Sequence, residues 1–382
     1  MSEPLHHALL PAGLPDVLPP DAGHEAALVE RLMGVFAGHG YERVKPPLVE
    51  FDDSLLVGTG AGLAHQTFRV MDPASQRMMG IRPDMTPQVA RIATTRLAHI
   101  ARPLRLAYAG QVLRVKGSQL RVERQFGQFG CELIGSLAPE ADAEVILLAI
   151  NALAGAGARD LSVDLCVPTL VPTLCTAWGL SAEDSHQLRE ALDRKDAADV
   201  AAVGGEAARV LGRLMAAAGA ADHAVAVLAE LDLPPDAERD RERLARVVRL
   251  IRDAAPNLMV TVDLVEYRGF EYQSGVSFTL FCRGVRGELG SGGRYRAGQT
   301  GEPATGFTLY TDTVIRAVPP PNLPQRVFLP HGSEPGLCDA LRAAGWVTVA
   351  GLAPVADNDE EARRLACDHV MIDGRTRPIK QR

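Results

Sequence analysis

The chain has no surplus of basic residues. Its 382 residues carry 40 lysines and arginines against 47 aspartates and glutamates, a net charge of −7 with a pI near 5.8. Phosphate neutralisation supplies most of the affinity of proteins that grip a polyanion, so nucleic acid is disfavoured as the principal partner, although a local basic patch stays open. The six cysteines, at positions 131, 166, 175, 282, 338 and 367, form no CxxC pair and no Cys/His cluster with zinc-like spacing. They read as scattered reduced thiols, with no metal expected. No apolar run reaches the roughly 18 residues of a membrane span. The N-terminus carries His6 and His7 but lacks the positive region and long apolar core of a secretory signal. No internal repeat is found. These absences together predict a soluble, cytoplasmic protein.

What is present suits two or three globular domains. Apolar residues make up 47% and charged residues 23%, enough for a sizeable core at this length. Residues 24–39 predict a helix, with Leu28, Leu32, Val35 and Phe36 at helical spacing and Gly40 at the C-cap. Pro46 and Pro47 then open an extended segment. Residues 104–135 alternate like two strands joined by a polar connection at 116–123, and a helix follows at 140–153 with acids in its first turn. Residues 181–255 predict a helical insertion of solvated amphipathic helices, notably at 199–203 and 238–252. Strands return at 259–267 and 276–283, followed by a glycine-rich turn at Gly287, Gly290, Gly292 and Gly293. The Pro319-Pro320-Pro321 linker precedes a small unit, 325–382, predicted as strand, helix, strand, helix and a last short strand.

Three segments carry candidate chemistry. If Gln125–Gly135 is a strand, Gln128 and Glu132 share one face and Phe129, Cys131 and Leu133 the other. Gly130, between the two polar groups, leaves room above the sheet. The pattern fits the floor of a polar pocket that prefers a cation or hydrogen-bond donor such as imidazole, although alone it more often marks the solvent face of an edge strand. Asp84 and Thr86 sit in a proline-fixed turn before a helix, placed either to hold an α-ammonium group or to cap that helix. Arg268 and Tyr272, within Tyr267–Tyr272, lie in a turn between two strands, as a carboxylate clamp or as a plain hairpin with a surface arginine.

In order and wording these segments resemble histidyl-tRNA synthetase. The Arg105–Gly135 stretch is similar to the second signature motif of class II synthetases, and HGYERVKPPLVE loosely resembles the first, which in that family builds the homodimer interface. The resemblance covers about 10–318. It implies an α+β fold: a class II synthetase-like antiparallel sheet flanked by helices, with the helical insertion and the small C-terminal α/β unit. It also implies that Asp84 and Thr86 hold the α-amino group of histidine, Arg114 the carboxylate, and Gln128 and Glu132 the side chain. Arg268 and Tyr272 complete the site, and Tyr295 lies in a matching Gly292-Gly293-Arg294-Tyr295 turn.

The nucleotide half departs from the family. Lys116 replaces an acid that contacts adenine, and Met85 replaces a glycine beside Asp84. Thr313 stands where an ATP-binding arginine is expected, with Asp312 for a glutamate and Tyr310 for a glycine. Arg316 lies about one helical turn beyond, at ~1.5 Å per residue. Without that cation the γ-phosphate has no partner. A synthetase-like chain with an amino-acid pocket but no ATP site resembles the regulatory subunit of ATP phosphoribosyltransferase. That resemblance implies a non-catalytic subunit without cofactor that activates a short catalytic partner in a hetero-octamer, with L-histidine as feedback ligand and tRNA not expected as a partner. The alternatives are a divergent histidyl-tRNA synthetase, or a histidine sensor or adaptor derived from the same fold.

Overall fold

The computed structural model describes residues 9–56, 58–117, 121–266 and 273–379. The chain divides into two compact units, Met1–Pro319 and Pro320–Arg382. The larger is built on a nine-stranded sheet. In spatial order its strands are Glu42–Arg43, Leu104–Leu113, Gln125–Ile134, Glu302–Tyr310, Gly290–Ala297, Gln273–Cys282, Leu161–Cys166, Met259–Asp263 and Gly219–Ala220. The central pairings are antiparallel; Glu42–Arg43 runs parallel to its neighbour, as do Leu161–Cys166 and Met259–Asp263.

Each face of this sheet has its own core, because successive side chains in a strand point opposite ways. Phe129, Cys131, Leu133, Phe307 and Leu309 meet the helices Asp21–Gly38 and Pro139–Ala156 on one side. The rings of Phe36 and Phe307 make an edge contact there, with centroids 5.5 Å apart. Leu104, Leu106, Tyr108, Phe126, Tyr295 and Tyr310 occupy the other side, against Met85, Val89, Ala90 and Ala93 at and in the short helix Thr86–Thr94. Gly40 ends the first helix at φ +83° and Gly157 the Pro139–Ala156 helix at φ +105°, the left-handed closure that glycine adopts without Cβ strain. The insertion is helical, as the spacing predicts: Ala182–Asp193, Ala197–Ala202, Gly205–Ala216, Ala221–Ala229 and Pro235–Ala254. The last of these buries Leu244, Val247, Val248 and Ile251 and leaves its charged face outside.

One prediction is overturned. Gly290, Gly292 and Gly293 do not form a turn; they belong to the strand Gly290–Ala297, and Gly292-Gly293-Arg294-Tyr295 is likewise strand. A Cβ on Gly290 would lie 2.2 Å from the Thr308 carbonyl oxygen, and one on Gly292 at 2.2 Å from that of Gly306. The glycines serve close backbone approach within the sheet, and the chain reversal lies just before them.

The smaller unit has a four-stranded sheet in the order Val347–Ala350, Arg326–Leu329, His369–Ile372, Arg375–Pro378, with helices Pro335–Ala343 and Asn358–Arg364. Val327, Leu329, Cys338 and Met371 form one core cluster, and Phe328, Ala362, Cys367 and Val370 a second. The Arg375–Pro378 strand is absent from the sequence reading. Its signal was the Asp373-Gly374 pair, both at positive φ, which is hairpin chemistry. All six cysteines are buried, and none forms a disulfide. Among the described residues no His/Cys/Asp/Glu group is placed to hold a metal, and no helix is long and apolar enough to cross a membrane.

Candidate functional site

Strand pairing brings the site together. Glu132 lies opposite Leu106 on one neighbouring strand and Gly306 on the other; Gly130 lies opposite Tyr108 and Thr308, and Gln128 opposite Gly110 and Tyr310. Gln128 and Glu132 face the side away from Phe129, Cys131 and Leu133, as the strand alternation predicts. That side is not solvent. Glu132 is 1% exposed and Gln128 likewise.

Glu132 is the electrostatic centre. Its Oε2 accepts the Tyr295 hydroxyl at 2.9 Å and its Oε1 the Tyr108 hydroxyl at 3.4 Å. Burial pushes its pKa up to about 8, against the hydrogen bonds from Tyr295, Thr86 and Tyr108, which lower it, and with a contribution from the nearby Asp84 charge. Among the described residues no cation pairs with it. A buried carboxyl with donors on its flanks and no counter-ion is a receptor for a cation or a strong N–H donor.

Asp84, Thr86, Glu132 and Tyr295 line one cavity, with Gln273, Ser291, Gly306 and Thr308. Asp84 accepts the Thr86 backbone N–H at 2.8 Å and the Gln128 side-chain amide at 2.9 Å. It therefore does the helix-start job and faces the cavity as well. Gln128 accepts the Met85 N–H at 3.1 Å, so it acts as a strut beneath Asp84. Arg114 stands apart. It donates to the Pro83 carbonyl at 3.2 Å, lies 3.8 Å from Asp84, and lines a second cavity with Lys116 and Arg121. Arg268 and Tyr272 lie outside the described residues.

The space above Gly130 is not free, contrary to the sequence reading. A Cβ there would sit 2.8 Å from the Tyr108 hydroxyl and 2.0 Å from the Phe307 carbonyl oxygen. Tyr108 is fully buried and also bonds Thr308 Oγ1 at 2.6 Å and Thr86 Oγ1 at 3.3 Å. Sequence reasoning missed it, with Thr308, Gln273 and Ser291. The available signal was parity: Tyr108 shares a strand face with Leu104, Leu106 and Val112.

The opposite end of the site differs in character. Thr313 is buried and its hydroxyl donates to the Tyr310 carbonyl at 3.2 Å, a local helix-start bond. Asp312 receives Arg121 Nε at 3.0 Å. The Arg121 guanidinium lies 3.8 Å from the Tyr310 ring centroid and 4.7 Å from that of Phe126, covering this aromatic shelf from within the chain.

The sheet, its antiparallel centre and the buried carboxylate pocket define a class II synthetase-like protein of the histidyl type. The histidyl-tRNA synthetase family profile matches residues 13–314. A curated ATP phosphoribosyltransferase regulatory subunit from Rhodospirillum centenum is 62% identical, over 98% of this chain and 97% of the relative. A crystal structure of an ATP phosphoribosyltransferase regulatory subunit/histidyl-tRNA synthetase from Bacillus halodurans is 25% identical and superposes with a TM-score of 0.80 over 95% of this chain and 97% of that one. A chain of the ATP phosphoribosyl transferase complex from Thermotoga maritima shares the fold, with a TM-score of 0.59 at 17% identity over 75% of this chain and 97% of that one. The chain belongs to the family of ATP phosphoribosyltransferase regulatory subunits.

Proposed function

We propose that this chain is the non-catalytic, cytoplasmic regulatory subunit of an ATP phosphoribosyltransferase, activating a short catalytic partner and carrying the histidine feedback site of the first step of histidine biosynthesis. In this reading its core forms a homodimer and enters a hetero-octamer with that partner. Family membership supports the regulatory role. The observation that carries the histidine site is Glu132, a buried carboxyl held by Tyr295 with no cation beside it among the described residues. An imidazole N–H directed at Glu132 and an α-ammonium directed at Asp84 would satisfy both carboxylates. Histidine couples to catalytic state through whatever difference in affinity it has for two conformations of the assembly. Calorimetric titration of L-histidine into the chain and into its complex tests the placement; absence of binding in both removes it.

The electrostatics predict the pH dependence of that titration. Glu132 carries its proton below about 8, and free imidazole loses its own above about 6.5. Between these values the pair holds one proton in total, the stoichiometry of an imidazolium–carboxylate contact. Below this window binding must release a proton, and above it binding must take one up. Affinity is therefore expected to peak between about pH 6.5 and 8 and to fall on both sides. A monotonic profile contradicts Glu132 as the imidazole partner.

The synthetase alternative requires histidine-dependent ATP–pyrophosphate exchange. With Thr313 committed to the backbone and Arg121 covering the Phe126–Tyr310 shelf, no exchange above background is expected.

A further inference from the structure

A cleft of about 790 Å³ opens between the helix Pro235–Ala254 and the ends of the strands Gly290–Ala297 and Glu302–Tyr310. It adjoins the Glu132 cavity, since Tyr295 lines both. Five arginines line it, Arg239, Arg243 and Arg246 from the helix and Arg294 and Arg296 from the strand, against Asp236, Asp240 and Glu242. The helical spacing puts the first three on one face.

Two of the five arginines are fixed. Arg294 donates from Nε to Asp142 at 3.0 Å and Arg243 from Nη1 at 3.0 Å, so two guanidinium groups are held on one buried carboxylate in the cleft wall. The other three are available. The Arg239–Asp236 and Arg246–Glu140 pairs are solvent-exposed on both sides, and such pairs contribute little and exchange partners freely. Arg296 is exposed, and among the described residues it donates only a 3.4 Å bond, to the Gly301 carbonyl. On the acidic side, Asp240 is committed to the Thr169 hydroxyl, which it accepts at 2.7 Å.

Three adaptable forks beside the fixed Arg294–Asp142–Arg243 group match an anion with several oxygen-bearing groups better than a single carboxylate. We propose that this cleft is a second ligand site, separate from the Glu132 pocket, and that it takes a small oligophosphate compound. The inference does not depend on the histidine reading, because its test uses a different ligand and the chain alone.

The test is calorimetric titration of the full chain with inorganic pyrophosphate at low and high salt. Saturable binding that weakens with salt is expected. R296A, at an exposed side chain without an ion pair among the described residues, is expected to weaken it about tenfold. R239A/R246A/R296A is expected to abolish it, while E132Q leaves it unchanged. Absence of pyrophosphate binding to the wild-type chain overturns the proposal. So does binding that survives the triple substitution, which would place the anion elsewhere.

Discussion

Replacing Glu132 by glutamine is expected to cost L-histidine at least about 30-fold in affinity, since removing the charge of one partner of a buried charged contact costs about 2–5 kcal/mol. The same substitution is expected to stabilise the unliganded chain above neutral pH. Glutamine keeps the volume and can still bond the Tyr295 and Tyr108 hydroxyls, but it has no charge to desolvate. The sign follows from linkage. Glu132 titrates near 8 when folded, from an ordinary value of 4.5, so between these values the folded state binds the extra proton. Stability therefore falls as pH rises through that window, and the loss is complete above it. By area-free bookkeeping of protonation alone the loss is on the order of 3–5 kcal/mol. Denaturant unfolding of wild type and E132Q at pH 6 and pH 9 measures it: the gap between the two proteins should widen at the higher pH. A gap that stays constant would mean that the carboxyl is not held in its neutral form.

The second large effect lies on the opposite sheet face. D142A is expected to destabilise the larger unit by about 3–5 kcal/mol, the usual cost of removing one member of a buried ionic group. Asp142 is 1% exposed and receives both Arg294 and Arg243. Arg294, 3% exposed, also donates to the carbonyls of Ser136 and Ala138 at 2.7 and 3.1 Å, and Arg243 to that of Leu137 at 2.7 Å. One carboxylate therefore ties the start of the Pro139–Ala156 helix to the Gly290–Ala297 strand and to the last helix of the insertion. Without it, two guanidinium groups face each other with one of them nearly out of solvent. A melting temperature within a degree or two of wild type for D142A would show that the carbonyls alone satisfy both arginines.

How much of this was legible in the sequence depends on the distance over which each feature is decided. Glu132 and Gln128 opposite Phe129, Cys131 and Leu133 follows from the two-residue period of one strand, and the structure shows that face pattern. The α+β class came from the resemblance to histidyl-tRNA synthetase, which is carried by short motifs that stand in order along the chain. Tyr108 and Thr308 are a different matter. They meet at 2.6 Å across 200 positions, and only the register of strands on both sides of Gln125–Ile134 brings them together. Gly290, Gly292 and Gly293 were misread because glycine signals either a reversal or a close approach, and the closeness comes from Thr308 and Gly306, on a partner strand that local reading cannot see. The Arg294–Asp142–Arg243 group was invisible for the same reason, with its members drawn from three separate elements.

We propose that this chain regulates a catalytic partner through the Glu132 pocket. The most direct measurement is phosphoribosyl-ATP formation by a short-form catalytic subunit, alone, with this chain, and with E132Q, each across a histidine titration. The account predicts that both forms of the chain co-elute with the catalytic subunit and raise its activity. Histidine should suppress the wild-type mixture at concentrations at least about 30-fold lower than those needed for E132Q. Unchanged activity without co-elution contradicts the regulatory role, and equal histidine sensitivity of the two mixtures contradicts the pocket.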